Sequence, residues 1–142
     1  MYTTLPSFRY HEPQTLLQAA ELLVREGPNS RVLAGGCDLL PELRTRDVRL
    51  GSKGYPSALV SLARIPGLRA VELQKNGDLV IGPMASLRSV ERFEGVFERW
   101  PALYEGINSI ASIQVRTGGT LIGNLCVATP ASDVALPLLT YG

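Results

Sequence analysis

The chain has 142 residues, 45% hydrophobic and 19% charged, with a formal net charge of +1. That is an ordinary globular composition with room for a modest core. It provides no basic face for nucleic acid and no run of about 18 apolar residues that could span a membrane. Two cysteines, Cys37 and Cys126, make no disulfide framework and are too few to ligate an iron–sulfur cluster by themselves. A single histidine, His11, argues against a histidine-based triad or zinc site. Met1 to Tyr10 lacks a charged segment followed by an apolar core, so no export signal is expected and a reducing cytoplasm is the expected setting.

In chain order, Phe8-Arg9-Tyr10 reads as a first short strand. Thr15-Leu-Leu-Gln18 has the capping-box spacing, and the helix it opens places Leu16, Ala19, Ala20, Leu23 and Val24 on one face before Gly27-Pro28 ends it. The next stretch is the most informative: Val32, Leu33 and Ala34 read as a buried strand, Gly35-Gly36 as a turn, and Asp38 as the N-cap of a helix that tolerates Pro41 in its first turn. Such a turn directs unpaired backbone N–H groups outward and suits a phosphate or pyrophosphate. The same pattern also serves as a plain tight turn, which is its commoner use.

Arg46 to Pro56 reads as a surface loop, Ala58 to Leu62 as a buried strand, and Pro66-Gly67 as a turn. Asn76-Gly77 between the apolar runs Arg69–Leu73 and Leu79–Ile81 predicts a hairpin closed by a type I′ turn. Ser86 is expected to cap a helix running to about Phe93. Trp100-Pro101 opens another, to roughly Ala111, with Trp100 as a packing residue. A second glycine region, Gln114 to Cys126, reads as an extended, side-chain-poor segment through Gly118, Gly119 and Gly123. Thr120, Asn124, Ser132 and Asp133 supply the hydroxyl, amide and carboxylate groups that suit a ligand carrying phosphate and ribose. Asp133 would either accept from a ribose hydroxyl or cap the apolar, helix-like stretch from Val134 to Gly142.

Ala34-Gly-Gly-Cys-Asp-Leu-Leu40, Ile81-Gly82, Gln114-Val-Arg116, Thr120-Leu-Ile-Gly-Asn-Leu-Cys126 and Pro130-Ala-Ser-Asp133, in this order, resemble the flavin subunit of the molybdenum hydroxylases. That family includes aerobic carbon monoxide dehydrogenase, xanthine dehydrogenase and 4-hydroxybenzoyl-CoA reductase. The resemblance implies an α/β (α+β) fold of the PCMH-type FAD-binding kind, shared in outline with vanillyl-alcohol oxidases. It has two small subdomains holding FAD between them, here 1–62 and the first part of the second, 63–142. Family subunits are about twice as long, so the C-terminal part of the fold is expected to be missing, as in a fragment, a split gene product or a degenerate copy.

By the same resemblance, Val32, Leu33, Ala34, Gly35, Gly36, Cys37, Asp38 and Leu39 would wrap the pyrophosphate. Gly119, Thr120, Ile122, Gly123, Asn124 and Leu125 would pass close to the flavin and diphosphate, and Ser132 and Asp133 would hold the ribose or adenine end. Ile110 and Val115 would pack on the adenine or ribitol. No side chain is expected to act as acid or base. The implied role is electron transfer between the [2Fe–2S] clusters of a small partner subunit, a molybdopterin large subunit and an external acceptor or donor. The alternative is an assembly module of such a complex that does not retain FAD.

This chain departs from the family at two positions in these loops. Cys37 replaces a usual Thr or Ser, as a weakly donating thiol that is a small filler or, alternatively, a reactive group. Ile122 replaces a Gly, and a β-branched residue cannot readily take positive φ, so a distorted second loop is expected. Leu39 to Arg44 and Ile65 to Leu68 look closest to the hydroxybenzoyl-CoA reductase branch. The cysteine-bearing insertion of that branch, and hence its extra cluster, is expected to be absent, because Cys126 runs directly into Ala128-Thr-Pro.

Overall fold

Ala58–Ser61 is a strand whose four residues are all buried, as the apolar run predicts for a strand covered on both faces. In the computed structural model, which describes residues 5, 7–45, 55–129 and 132–141, it is the middle strand of a three-stranded parallel sheet. Numbered in chain order, β1 is Arg9–His11, β2 is Ser30–Leu33 and β3 is Ala58–Ser61, arranged β1-β3-β2. Arg9 to His11 pair with Ala58 to Val60 on one side of β3, and Ser30 to Leu33 pair with Ala58 to Ser61 on the other. The expected loop from Arg46 lies outside the described residues as far as Gly54, as do Met1 to Thr4, Pro6, Pro130, Ala131 and Gly142.

The connection from β1 to β2 is helix α1, Leu16–Glu26. Thr15 caps it, its Oγ1 accepting from Gln18 N at 3.1 Å. Gln18 Oε1 reaches back to accept from Gln14 N at 2.9 Å, one residue before the position a strict capping box uses. The helix ends at Gly27, φ 74°, which needs no Cβ-bearing residue.

The buried face of α1 differs from the expected one. Leu16 is 59% and Val24 83% exposed, and Ala20 is exposed as well. Ala19 is buried, Leu22, Leu23 and Glu26 are half-buried, and these follow the i, i+3, i+4, i+7 spacing of a single stripe. The carboxylate of Glu26, on a side chain only 7% exposed, explains the rotation. It pairs with Arg9 Nη2 at 2.6 Å and with His11 Nε2 at 3.0 Å, both on β1.

Burial alone would raise the Glu26 pKa, but the charge and hydrogen bond of Arg9, then those of His11, more than cancel this and hold it below its ordinary value of 4.5. A folded-state pKa that is depressed contributes stability present above the unfolded value and lost as pH falls through the folded one. Urea unfolding of the chain is therefore expected to show declining stability below about pH 4.5, and the decline should shrink in Glu26→Gln. An unchanged acid limb in that variant would remove Glu26 as its source.

The chain divides into two units, Met1–Pro66 and Gly67–Gly142. In the first, Leu43 of α2 (Leu39–Thr45) is fully buried. The second begins with an antiparallel hairpin, β4 (Val71–Leu73) and β5 (Leu79–Ile81), in the register Val71↔Ile81. Its turn is not type I′, because only Gly77 has positive φ, at 95°. Gly77 N donates to Gln74 O at 3.0 Å and Gln74 N to Asp78 O at 2.8 Å, giving a three-residue loop with glycine in the left-handed place of a G1 bulge. Asn76 stays at negative φ and uses its side chain instead, accepting from Asp78 N at 3.1 Å.

The rest of this unit is helical: α3 (Leu87–Glu91), α4 (Val96–Arg99), α5 (Pro101–Ser109), α6 (Ile113–Gly118), α7 (Leu121–Val127) and α8 (Ala135–Tyr141). Its core is Ala85, Leu87, Val90, Leu103, Ile107, Leu121 and Val134, with Trp100 packed against it. Pro101 opens α5, where its missing N–H costs nothing. The next donor, Ala102 N, is taken by Tyr141 Oη of α8 at 3.0 Å.

Candidate functional site

The first glycine region ends β2 and leads into α2. Gly36 has φ 73°, whereas Gly35 is not at positive φ, so only one of the pair requires glycine on conformational grounds. The first helical hydrogen bond runs from Leu40 N to Gly36 O at 3.0 Å, which puts Gly36 rather than Asp38 at the cap position. Asp38 is exposed, and its carboxylate accepts no hydrogen bond from the first turn, so the expected aspartate cap does not form. The cause is that the left-handed glycine starts the helical path two residues earlier.

This leaves free donors. Among the described residues, the backbone N–H groups of Gly35, Gly36, Asp38 and Leu39 find no acceptor in the chain. All four residues are at least partly open to solvent. Convergent unpaired N–H groups after a left-handed glycine form an anion-binding concavity, so the residues present here fit a pyrophosphate. Val32 is 45% exposed, and Leu33, Ala34 and Cys37 are half-buried beside it. Burial, and then the Asp38 carboxylate, push the Cys37 thiol pKa up, which favours the neutral thiol over a nucleophilic thiolate.

The second glycine region is not extended. It forms two short helices, α6 and α7, meeting at Gly119-Thr120. Ser112 caps α6 by accepting from Val115 N, and Thr120 Oγ1 caps α7 by accepting from Gly123 N at 3.1 Å. Gly123 therefore lies inside a helix. Ile122 is helical too and is not among the residues with positive φ, so the expected clash at this β-branched position does not arise. Ile110, Ile122 and Leu125 pack against the core, and Val115 lies at the surface with 36% exposure.

Several polar groups expected to face a ligand are occupied internally. Thr120 is 4% exposed and spends its oxygen on the cap. Ser132 is 8% exposed and donates from Oγ to Asn124 Oδ1 at 3.0 Å. Thr120, Gly123, Asn124 and Ser132 are thus joined through the first turn of α7. Asp133 is exposed, and its carboxylate takes no N–H from α8, so it is not that helix's cap. The Asn124 amide nitrogen and the Asp133 carboxylate remain for an outside partner. Thr120→Ala should cost about 1 kcal/mol through loss of the cap, read as a lower thermal midpoint. A midpoint equal to wild type would show that the cap carries no weight.

The sequence reading quoted Arg116 without giving it a role. It is 8% exposed and donates from Nη1 to Ile110 O at 2.9 Å and Asn108 O at 3.2 Å, closing the end of α5. Its Nε lies 3.4 Å from Glu91 Oε2, and Glu91 Oε1 accepts from Arg88 Nη1 at 2.8 Å. Only the spacing of Arg88 and Glu91, three apart on one helix, hinted at this cluster. Among the described residues there is no group of three or more His, Cys, Asp or Glu fit to hold a metal, and no helix long and apolar enough to cross a membrane.

Residues 6–142 match the family described as the FAD binding domain in molybdopterin dehydrogenase. The carbon monoxide dehydrogenase medium chain of Hydrogenophaga pseudoflava is 34% identical over 128 residues, 90% of this chain and 42% of that one. Caffeine dehydrogenase subunit beta of Pseudomonas sp. (strain CBB1) is 33% identical, over 96% of this chain and 44% of its own length. A solved structure of carbon monoxide dehydrogenase from Hydrogenophaga pseudoflava, lacking the Mo-pyranopterin moiety of its molybdenum cofactor, is similar at a TM-score of 0.82 and 32% identity. That match covers 93% of this chain and 44% of the other. The chain thus spans less than half the length of these relatives, which are subunits of dehydrogenases. With both glycine regions and nearly every residue inside the match, the chain belongs to the family of FAD-binding domains of molybdopterin dehydrogenases.

Proposed function

We propose that this chain binds FAD and serves as the electron-transfer part of a molybdenum hydroxylase-type oxidoreductase. The observation that carries the reading is the turn from Gly35 to Leu39, where the N–H groups of Gly35, Gly36, Asp38 and Leu39 lack a partner among the described residues. Those donors hold the pyrophosphate, and Val32 to Ala34 and Cys37 line its approach. In the second unit, the backbone around Gly119 and Gly123 and the Asn124 amide contact the cofactor, and the Asp133 carboxylate accepts from a ribose hydroxyl. Thr120 and Ser132 act one step back, Thr120 by starting α7 and Ser132 by orienting Asn124. Ile110 and Val115 supply apolar surface on the adenine or ribitol side, and Ile122 and Leu125 pass close to the flavin and diphosphate.

When bound, the isoalloxazine ring supplies the redox chemistry, and the protein positions it and shields it from water. Electrons pass between the flavin, [2Fe–2S] clusters in a small partner subunit and a molybdopterin-bearing large subunit, in a cytoplasmic complex. The relatives' names, a medium chain and a subunit beta of dehydrogenases, support a multi-subunit assembly. The alternative, an assembly module without FAD, draws on strain at Ile122 and on the short length of the chain, and the helical backbone at Ile122 removes only the first of these grounds. The test is expression of the chain with its neighbouring reading frames, followed by desalting. A retained flavin absorbance band is expected. A complete complex carrying iron and molybdenum but no flavin would overturn the proposal.

A further inference from the structure

We propose that Glu91, through Arg116, is a positioning residue that fixes the second glycine loop, so that α3 acts as a brace for residues 116–123. This deepens the flavin reading above and rests on it for its functional consequence. The two ends of α3 grip the same segment. At its start, Leu87 N donates to Gly119 O at 3.0 Å, Ala85 O accepts from Leu121 N at 3.2 Å, and Ser86 bridges Thr120. At its end, Glu91 Oε2 faces Arg116 Nε at 3.4 Å.

Both side chains are more than nine-tenths buried, at 6% and 9% exposure. Neither of these two atoms has a hydrogen-bond partner among the described residues, so the contact between them is an ion pair only. The Glu91 carboxylate is shared between Arg116 and Arg88, whose Nη1 donates to Oε1 at 2.8 Å, and a buried charge that loses a partner is costly. Arg116 also holds the carbonyls of Asn108 and Ile110, on the near side of Ala111, a non-glycine residue at φ 37°. A strained residue persists only where its surroundings over-determine it. The guanidinium supplies that restraint and fixes the entry to α6. The route from Glu91 to the loop is covalent thereafter: Arg116 to Gly119 is a single helical turn, and Gly119 N donates to Val115 O at 2.7 Å.

The test is amide hydrogen exchange on the flavin-free full chain, comparing wild type, Glu91→Gln and Arg116→Lys. Removing a charge-assisted contact is expected to speed exchange at Gly119, Leu121 and Gly123 by about tenfold or more, while Gln74 and Gly82 in the hairpin of the same unit keep their rates. Arg88→Gln, which leaves the Glu91–Arg116 pair in place, should not reproduce the pattern. Uniform acceleration across the unit, or none, would overturn the brace. With FAD added, Glu91→Gln should lose about tenfold in affinity and alter the visible circular dichroism of the bound flavin. If the wild-type chain alone takes up no FAD, the exchange pattern still decides the brace, and the flavin reading is decided by the complete complex.

Discussion

Gly36→Ala should lower FAD affinity by about tenfold or more and cost the fold about 1–2 kcal/mol, while Gly35→Ala does neither to the same degree. The asymmetry follows from the backbone. Gly36 is at φ 73°, a conformation that a Cβ disfavours in itself, and Gly35 is not. A Cβ on Gly36 would meet Leu40 Cδ1 at 3.1 Å and Leu33 Cδ1 at 3.2 Å. Those are ends of flexible side chains and can shift, so the dihedral sets most of the cost. Any relaxation toward negative φ would redirect the N–H groups of Gly36 and its neighbours, the same donors proposed to hold the pyrophosphate. Flavin fluorescence titration and urea unfolding of both variants check this. Equal behaviour of the two glycines would refute the assignment of Gly36 as the left-handed residue of the turn.

Gly106→Ala should destabilise the second unit by roughly 2 kcal/mol, although the position is mid-helix, where alanine is normally favoured by about 1 kcal/mol. A Cβ on Gly106 would overlap the Asp133 carbonyl oxygen and lie 3.2 Å from Pro137 Cγ. The obstacle is backbone, which cannot rotate away, so α5 and the start of α8 must separate. Thermal unfolding gives the answer, and a variant more stable than wild type would mean that the two segments do not approach so closely. The same contact bears on the site, because Asp133 and the adjoining Ser132 sit where α8 begins, and Ser132 orients Asn124.

Much of the local structure was legible because it is encoded in short range. Thr15 with Gln18, Ser86, and Trp100-Pro101 each announce a helix start, and each starts one. The apolar run from Ala58 announced a buried strand. The second glycine region misled because glycine was weighed as a breaker. The caps Ser112 and Thr120, each three residues before the N–H it accepts, were the stronger signal for two helices. The hairpin was read correctly as a hairpin, but its turn type depends on whether Asn76 takes positive φ, and its own side chain offered a cheaper solution.

By itself the sequence determined the family, the order of strand, helix, strand, glycine turn and helix, and the two glycine-bearing stretches proposed to contact the cofactor. Spacing and residue type suffice for these, since capping, periodicity and turn formation act over a few residues. Only the tertiary structure decided which groups in those stretches are free to act. It committed the oxygens of Thr120 and Ser132 to internal hydrogen bonds, left the N–H groups of Gly35, Gly36, Asp38 and Leu39 without partners among the described residues, turned α1 so that Glu26 meets Arg9 and His11, and joined Arg116 to Glu91. A donor is available or spent according to what folds against it, and the partners in the last two cases lie 15 to 25 residues away along the chain, beyond the reach of local pattern.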